Sequence, residues 1–195
     1  DEEVVPETAT IVHEGTCGDL YWTIDSNGLF KIEGTGDYGY TNWTAYSNKI
    51  YSAKVNVSGI TSTRNMFSHC KNLGRVDLTG LDTSLVTDMS GMFYMCTNLE
   101  KITWGEMDTG RVTDMSEMYA LCQSLPDFDF SGFDTSQVTD MSMMFDHCYE
   151  LTNLDLSSFD TSKVTDMARM CRECHGLANL NVSSFNTSKV TNMCY

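Results

Sequence analysis

Apolar positions beyond residue 80 follow two alternating rhythms. Met89, Met92, Phe93 and Cys96 fall at i, i+3, i+4 and i+7, the stripe of one helical face. Leu99-x-x-Ile102-x-Trp104 follows, with the alternation of a short strand. The same strand frame returns at Leu73/Val76/Leu78, Leu125/Phe128/Phe130, Leu151/Leu154/Leu156 and Leu177/Leu180/Val182. Thr87 precedes the helical stripe as an N-cap, and Asp88 sits where the helix dipole favours an acid. The pattern predicts one strand and one helix per unit.

The units are copies. LDTSLVTDMSGMF, MDTGRVTDMSEMY, FDTSQVTDMSMMF, FDTSKVTDMARMC and FNTSKVTNMCY begin at 81, 107, 133, 159 and 185, a period of 26 residues. A unit that short cannot bury its apolar face alone and must stack on its neighbours. The expected fold is an α/β solenoid of leucine-rich-repeat type, a right-handed superhelix with its strands in one parallel sheet at about 4.8 Å spacing. Two alternating runs, residues 20–24 and 29–33, flank Asp25-Ser-Asn-Gly28 and predict a β-hairpin that caps the open N-terminal end. Residues 1–14 read as a flexible leader, 15–49 as the cap, and 50–195 as the solenoid, its last repeat incomplete at Tyr195.

Charge narrows the partners. Asp and Glu number 27 against 12 Lys and Arg, a formal charge of −15. Such a surface repels phosphate backbones and anionic lipid, which argues against nucleic acid or membrane as partner. No run of 18 apolar residues is present to span a bilayer.

Several residue columns invite chemistry. Cys70, Cys96, Cys122, Cys148 and Cys174 recur every 26 residues. On neighbouring helices they would lie roughly 8–10 Å apart, beyond the ~7 Å Cα limit for a disulfide. They therefore read as free thiols packed as small hydrophobes. Cys171 and Cys194 are left open as a pair. The methionine ladder, Met89/115/141/167/193 and Met92/118/144/170, reads as core filling rather than a soft-metal site. Asp82, Asp108, Asp134 and Asp160 read as acceptors for their own turns, not calcium ligands. His13, His69, His147 and His175 are scattered, and Cys171-x-x-Cys174 lacks further zinc ligands. No metal or cofactor is expected. Nor is there a GxSxG, HExxH or phosphate-loop sequence to support an enzyme.

The strand frame leaves one polar face. Residues between its leucines point away from the core, onto what the superhelix would make its concave side. One column reads Asp77, Thr103, Asp129, Asp155, Asn181, and its neighbour reads Arg75, Lys101, Asp127, Asn153, Asn179. These ten are the candidate ligand-binding residues. Asp129 faces Asp155, which disfavours both being charged without a counterion.

The repeat TS-x-VTDMS-x-MF…C…L-x-x-L-D-L-S-x-FD, seen closely in residues 86–93, 138–145 and 159–167, resembles the BspA-like leucine-rich repeats of bacterial surface proteins and lipoproteins. Residues 15–36, with Gly15-Thr-Cys-Gly-Asp-Leu-Tyr-Trp-Thr-Ile24, resemble the module that precedes such repeats in secreted proteins of gut-type Gram-positive bacteria. The last repeats drift: Ala168 stands for Ser, Cys171 for Phe, and Asn186 and Asn192 for Asp. The resemblance implies secretion, cell-surface display and adhesion to host or neighbouring-cell protein, matrix or mucin-type glycoprotein, with no shared catalytic residues. The alternative expectation is a structural spacer that projects another domain of a larger surface protein.

Overall fold

Three antiparallel strands open the chain and feed directly into a parallel stack. In the computed structural model, which describes residues 8–39 and 41–194, β1 (Ile11–Cys17), β2 (Leu20–Asp25) and β3 (Leu29–Thr35) pair antiparallel. β4 (Ser52–Ser58), β5 (Arg75–Leu81) and β6 (Lys101–Trp104) then add in parallel, giving the sheet order β1-β2-β3-β4-β5-β6. β7 (Asn153–Asp155) and β8 (Asn179–Asn181) form a second, two-stranded parallel sheet. The whole is a β-solenoid of about seven turns.

The expected hairpin is β2–β3. Asp25 Oδ1 accepts from the backbone N–H groups of Asn27 and Leu29, both at 2.9 Å, and Gly28 takes the left-handed φ of 74°. Residues 11–14, expected in a leader, instead belong to β1, whose largely exposed, polar-rich run carries no alternation to reveal it. Residues 1–7 of that leader, and Tyr195, lie outside the described residues. The 3₁₀ helix Asn42–Lys49 buries Trp43, whose Nε1 donates to Met66 O at 2.9 Å.

The helix expected in every repeat is absent among the described residues. Met89, Met92, Phe93 and Cys96 are fully buried, as the stripe requires, but they sit on a chain of tight turns. Two positions per coil, four residues apart, take positive φ. One column is Asn65, Gly91, Glu117, Met143 and Arg169; the other is His69, Met95, Leu121, His147 and Glu173. A left-handed residue every fourth place interrupts any i→i−4 ladder. The N–H groups then divide their partners. Met89, Gly91, Phe93 and Met95 donate to Asp114 O, Ser116 O, Met118 O and Ala120 O of the next coil at 2.8–2.9 Å. Tyr94 and Cys96 donate three residues back within their own coil, at 2.9 and 3.0 Å. Non-glycine residues in this region cost roughly 1–2 kcal/mol each, offset here by coil-to-coil bonds that a helix would not make.

Successive coils are thus hydrogen-bonded neighbours, about 4.8 Å apart, rather than packed helices. That corrects the cysteine argument. The stacked thiols are near enough to satisfy the Cα limit, yet all are free. Four of the five are committed elsewhere: Cys96, Cys122, Cys148 and Cys174 donate to the carbonyls of Phe67, Phe93, Tyr119 and Phe145 at 2.9–3.3 Å. Burial pushes the Cys70 thiol up to about 12 and raises its neighbours in the ladder as well, so these sulfurs stay protonated and unreactive near neutral pH. Cys171 and Cys194, left open as a pair, are also free.

Two further columns hold the coils in register. Thr109, Thr135 and Thr161 are buried, and each hydroxyl accepts from the N–H of the residue 25 on and donates to its carbonyl, at 2.7–3.2 Å. The rings of Phe67, Phe93, Tyr119 and Phe145 stack at 5.7–5.8 Å. Tyr119 alone carries a hydroxyl there, and it is buried without a hydrogen-bond partner. Tyr119→Phe is therefore expected to stabilise the protein by roughly 1 kcal/mol, since it removes an unsatisfied polar group without changing the ring. A urea titration would read this as a higher midpoint at unchanged slope; a lower midpoint would mean the hydroxyl is satisfied.

Candidate functional site

The outward face of the sheets is where the ten expected residues lie, and the strand register divides them. On β5 and β6, Arg75 pairs with Lys101 and Asp77 with Thr103. On β7 and β8, Asn153 pairs with Asn179 and Asp155 with Asn181. Asp127 and Asp129 fall between the two sheets in a coil without a strand. Pro126 explains that gap, because it offers no N–H at a position where Glu100 bonds back to Gly74 O at 2.9 Å.

Asp127 gives the following coil an acceptor in place of a strand. Its carboxylate accepts from Thr152 N and Oγ1 and from Asn153 N and Nδ2, at 2.6–2.8 Å. Partial desolvation raises its pKa, but the bonds from Asn153 and Thr152 outweigh this and hold it down at about 2. A folded-state pKa below the unfolded value means that the carboxylate's contribution is present above about pH 4 and lost as pH falls through about 2. The group is exposed, so solvent screening leaves that contribution at about 1 kcal/mol. Asp127→Asn is expected to lower the thermal midpoint at pH 7 and to converge on the wild type near pH 2. Parallel curves across that range would sink this assignment.

The other carboxylates of the face are also turned into their own backbone. Asp77 Oδ1 accepts from Thr79 Oγ1 and N at 2.7 and 3.0 Å, Asp129 from Ser131 N at 2.8 Å, and Asp155 from Ser157 N at 2.9 Å. Asn181 does the same with Ser183 N at 3.2 Å. The expected conflict between Asp129 and Asp155 is outweighed. The Ser131 bonds dominate at Asp129 and hold it below the usual carboxylate range, with Asp155 opposing only weakly, and the Ser157 bonds do the same for Asp155. The turn aspartates follow the reading given them: Asp82, Asp134 and Asp160 accept from Ser84, Ser136 and Ser162 N at 2.9–3.0 Å. No group of three His, Cys, Asp or Glu side chains suited to a metal ion occurs among the described residues.

The basic side chains of the face behave differently. Arg75 and Lys101 make no ion pair or hydrogen bond through their side chains with any described residue. Lys54, on the adjacent strand, lies 3.4 Å from Asp77 Oδ2, and Lys31 pairs in register with Lys54. These two lysines were not among the candidates. The outward phase of Lys54 between Ala53 and Val55 was the signal for it, once β4 joined the sheet. Lys54, Arg75, Asp77, Lys101 and Thr103 line a recess of about 290 Å³.

A second cluster was also missed. Asp146 is buried, and Arg172 one coil on donates to it through Nε and Nη2, each at 2.9 Å. His147 Nδ1 lies 2.9 Å from the same carboxylate without hydrogen-bond geometry. His175 stacks on Tyr149 at 5.7 Å and pairs with Glu173 at 3.0 Å.

The family model described as "Mycoplasma protein of unknown function, DUF285" matches residues 39–128 and 98–195. Comparison with curated proteins returns no match. Among solved structures, a leucine-rich cell surface protein from Faecalibacterium prausnitzii is similar at 16% identity and a TM-score of 0.38, over 88% of this chain and 55% of its own. A leucine-rich-repeat protein from Eubacterium ventriosum is similar at 14% identity and a TM-score of 0.31, over 90% of this chain and 85% of its own. This chain thus spans about half the length of the first of these.

Proposed function

The chain belongs to the DUF285 family, and we propose that it is a non-catalytic recognition module, displayed outside a bacterial cell, that binds host or neighbouring-cell protein, matrix or mucin-type glycoprotein on its outward sheet face. The observation that carries this reading is the division of labour on that face. The fold uses Asp129, Asp155 and Asn181 for its own turns and Asp127 to join the next coil, while Arg75, Lys101 and Thr103 project in strand register, exposed and without structural employment. A flat sheet that offers polar groups at strand spacing suits an extended ligand better than a small molecule in a deep cavity.

The test is capture of solubilised matrix and mucin by immobilised folded protein, beside a variant whose face is obstructed by Thr103→Trp and Asn179→Trp. A partner held by the wild type and lost by the variant supports recognition through the face. A partner held equally by both moves the site elsewhere. No partner at all overturns the reading in favour of the spacer.

A further inference from the structure

We propose that the recess on β4–β6 is an anionic-sugar site, taking one sulfate- or carboxylate-bearing residue of a glycan. This rests on the recognition reading above and names its ligand class. In a chain with a net charge of −15 and only 12 basic residues, Lys54, Arg75 and Lys101 gather around one recess whose sole lining carboxylate is Asp77. That carboxylate is engaged by Lys54 at 3.4 Å and by Thr79, so it does not neutralise Arg75 or Lys101.

The geometry fits one oxyanion. Arg75 and Lys101 are direct register partners, and Ser52 is the partner of Arg75 on the other side, so the three stand on adjacent strands about 4.8 Å apart. An arginine fork beside an ammonium matches the paired oxygens of a carboxylate or sulfate. The hydroxyls of Ser52 and Thr103 supply donors and acceptors for neighbouring sugar hydroxyls. A nucleic acid is the poorer candidate. It relies on some 6–10 phosphate contacts, whereas this recess offers two uncompensated cations, Arg75 and Lys101, within an otherwise acidic molecule.

The experiment titrates the whole protein with sialyllactose, with a sulfated chondroitin disaccharide, with lactose, and with a single-stranded oligonucleotide, read by calorimetry. One or both acidic sugars should bind and lactose should not; which of them binds distinguishes carboxylate from sulfate. Arg75→Gln with Lys101→Gln should weaken that binding at least about tenfold at an unchanged thermal midpoint, and Lys163→Gln should not. Lack of binding by either acidic sugar, binding equal to that of lactose or of the oligonucleotide, or binding indifferent to the double variant would each overturn the proposal. If the sugars fail while mucin or matrix protein is still captured through the face, only the ligand class is wrong. If capture fails too, the recognition reading falls with it.

Discussion

Phe93→Ala is expected to destabilise the protein by about 3–5 kcal/mol, the range for a buried aromatic truncated in a core. Phe93 is fully buried, stacked between Phe67 and Tyr119 at 5.8 and 5.7 Å and met edge-on by Trp104 at 6.2 Å. How much such a cavity costs depends on whether its walls can close. Here they cannot, because the coil spacing is set by backbone bonds on both sides. Phe67 N reaches Met92 O and Phe93 N reaches Met118 O, both at 2.9 Å. Cys171 holds the same column at its far end and is only half-buried, so Cys171→Ala should cost well under 1 kcal/mol by the smaller area removed from contact. Urea unfolding of the two variants checks the contrast. Stability in a stack is a sum of coil and nearest-neighbour interactions, so a second transition in Phe93→Ala would locate the weakened interface. Equal small losses would mean that the coils relax toward one another.

Arg172→Met is expected to cost about 3–5 kcal/mol, the range for leaving one partner of a buried pair uncompensated. The asymmetry of the pair makes the arginine the more damaging deletion. The Asp146 side chain is 6% exposed against 32% for Arg172, so removing the cation strands a carboxylate away from water. His147 Nδ1 is near enough, at 2.9 Å, but is not aligned to donate. Replacing both residues, Asp146→Leu with Arg172→Met, should recover most of the loss, because apolar partners of similar volume need no solvation. The double-mutant cycle measures this directly. A double variant no better than Arg172→Met alone would mean that the pair serves packing rather than charge compensation.

The pair shows what a period can reveal. Asp146 and Arg172 occupy the same place in consecutive copies, so the 26-residue interval alone sets them side by side. The amide ladder Asn153–Asn179, joined at 2.6 Å, follows from the same interval. The outward columns of the candidate site were legible for the same reason. What was not legible is which members the fold keeps for itself. Asp129 and Arg75 look alike as exposed polar positions, yet only Asp129 has a serine two residues on, placed so that its N–H closes a turn.

The sequence by itself determined the stack, its period, the β2–β3 hairpin and the buried set, because each depends on spacing, and the apolar stripe of Met89, Met92, Phe93 and Cys96 must face inward in any fold. Tertiary structure alone decided that the stripe would be turns and not helix. Spacing cannot separate the two, since i, i+3, i+4 and i+7 converge equally on one side of a helix and on the inside of a tight coil. The choice lies with partners a full period away. Only when Asp114, Ser116, Met118 and Ala120 present their carbonyls do Met89, Gly91, Phe93 and Met95 gain bonds that offset left-handed backbone at Met95, Glu117 and Leu121.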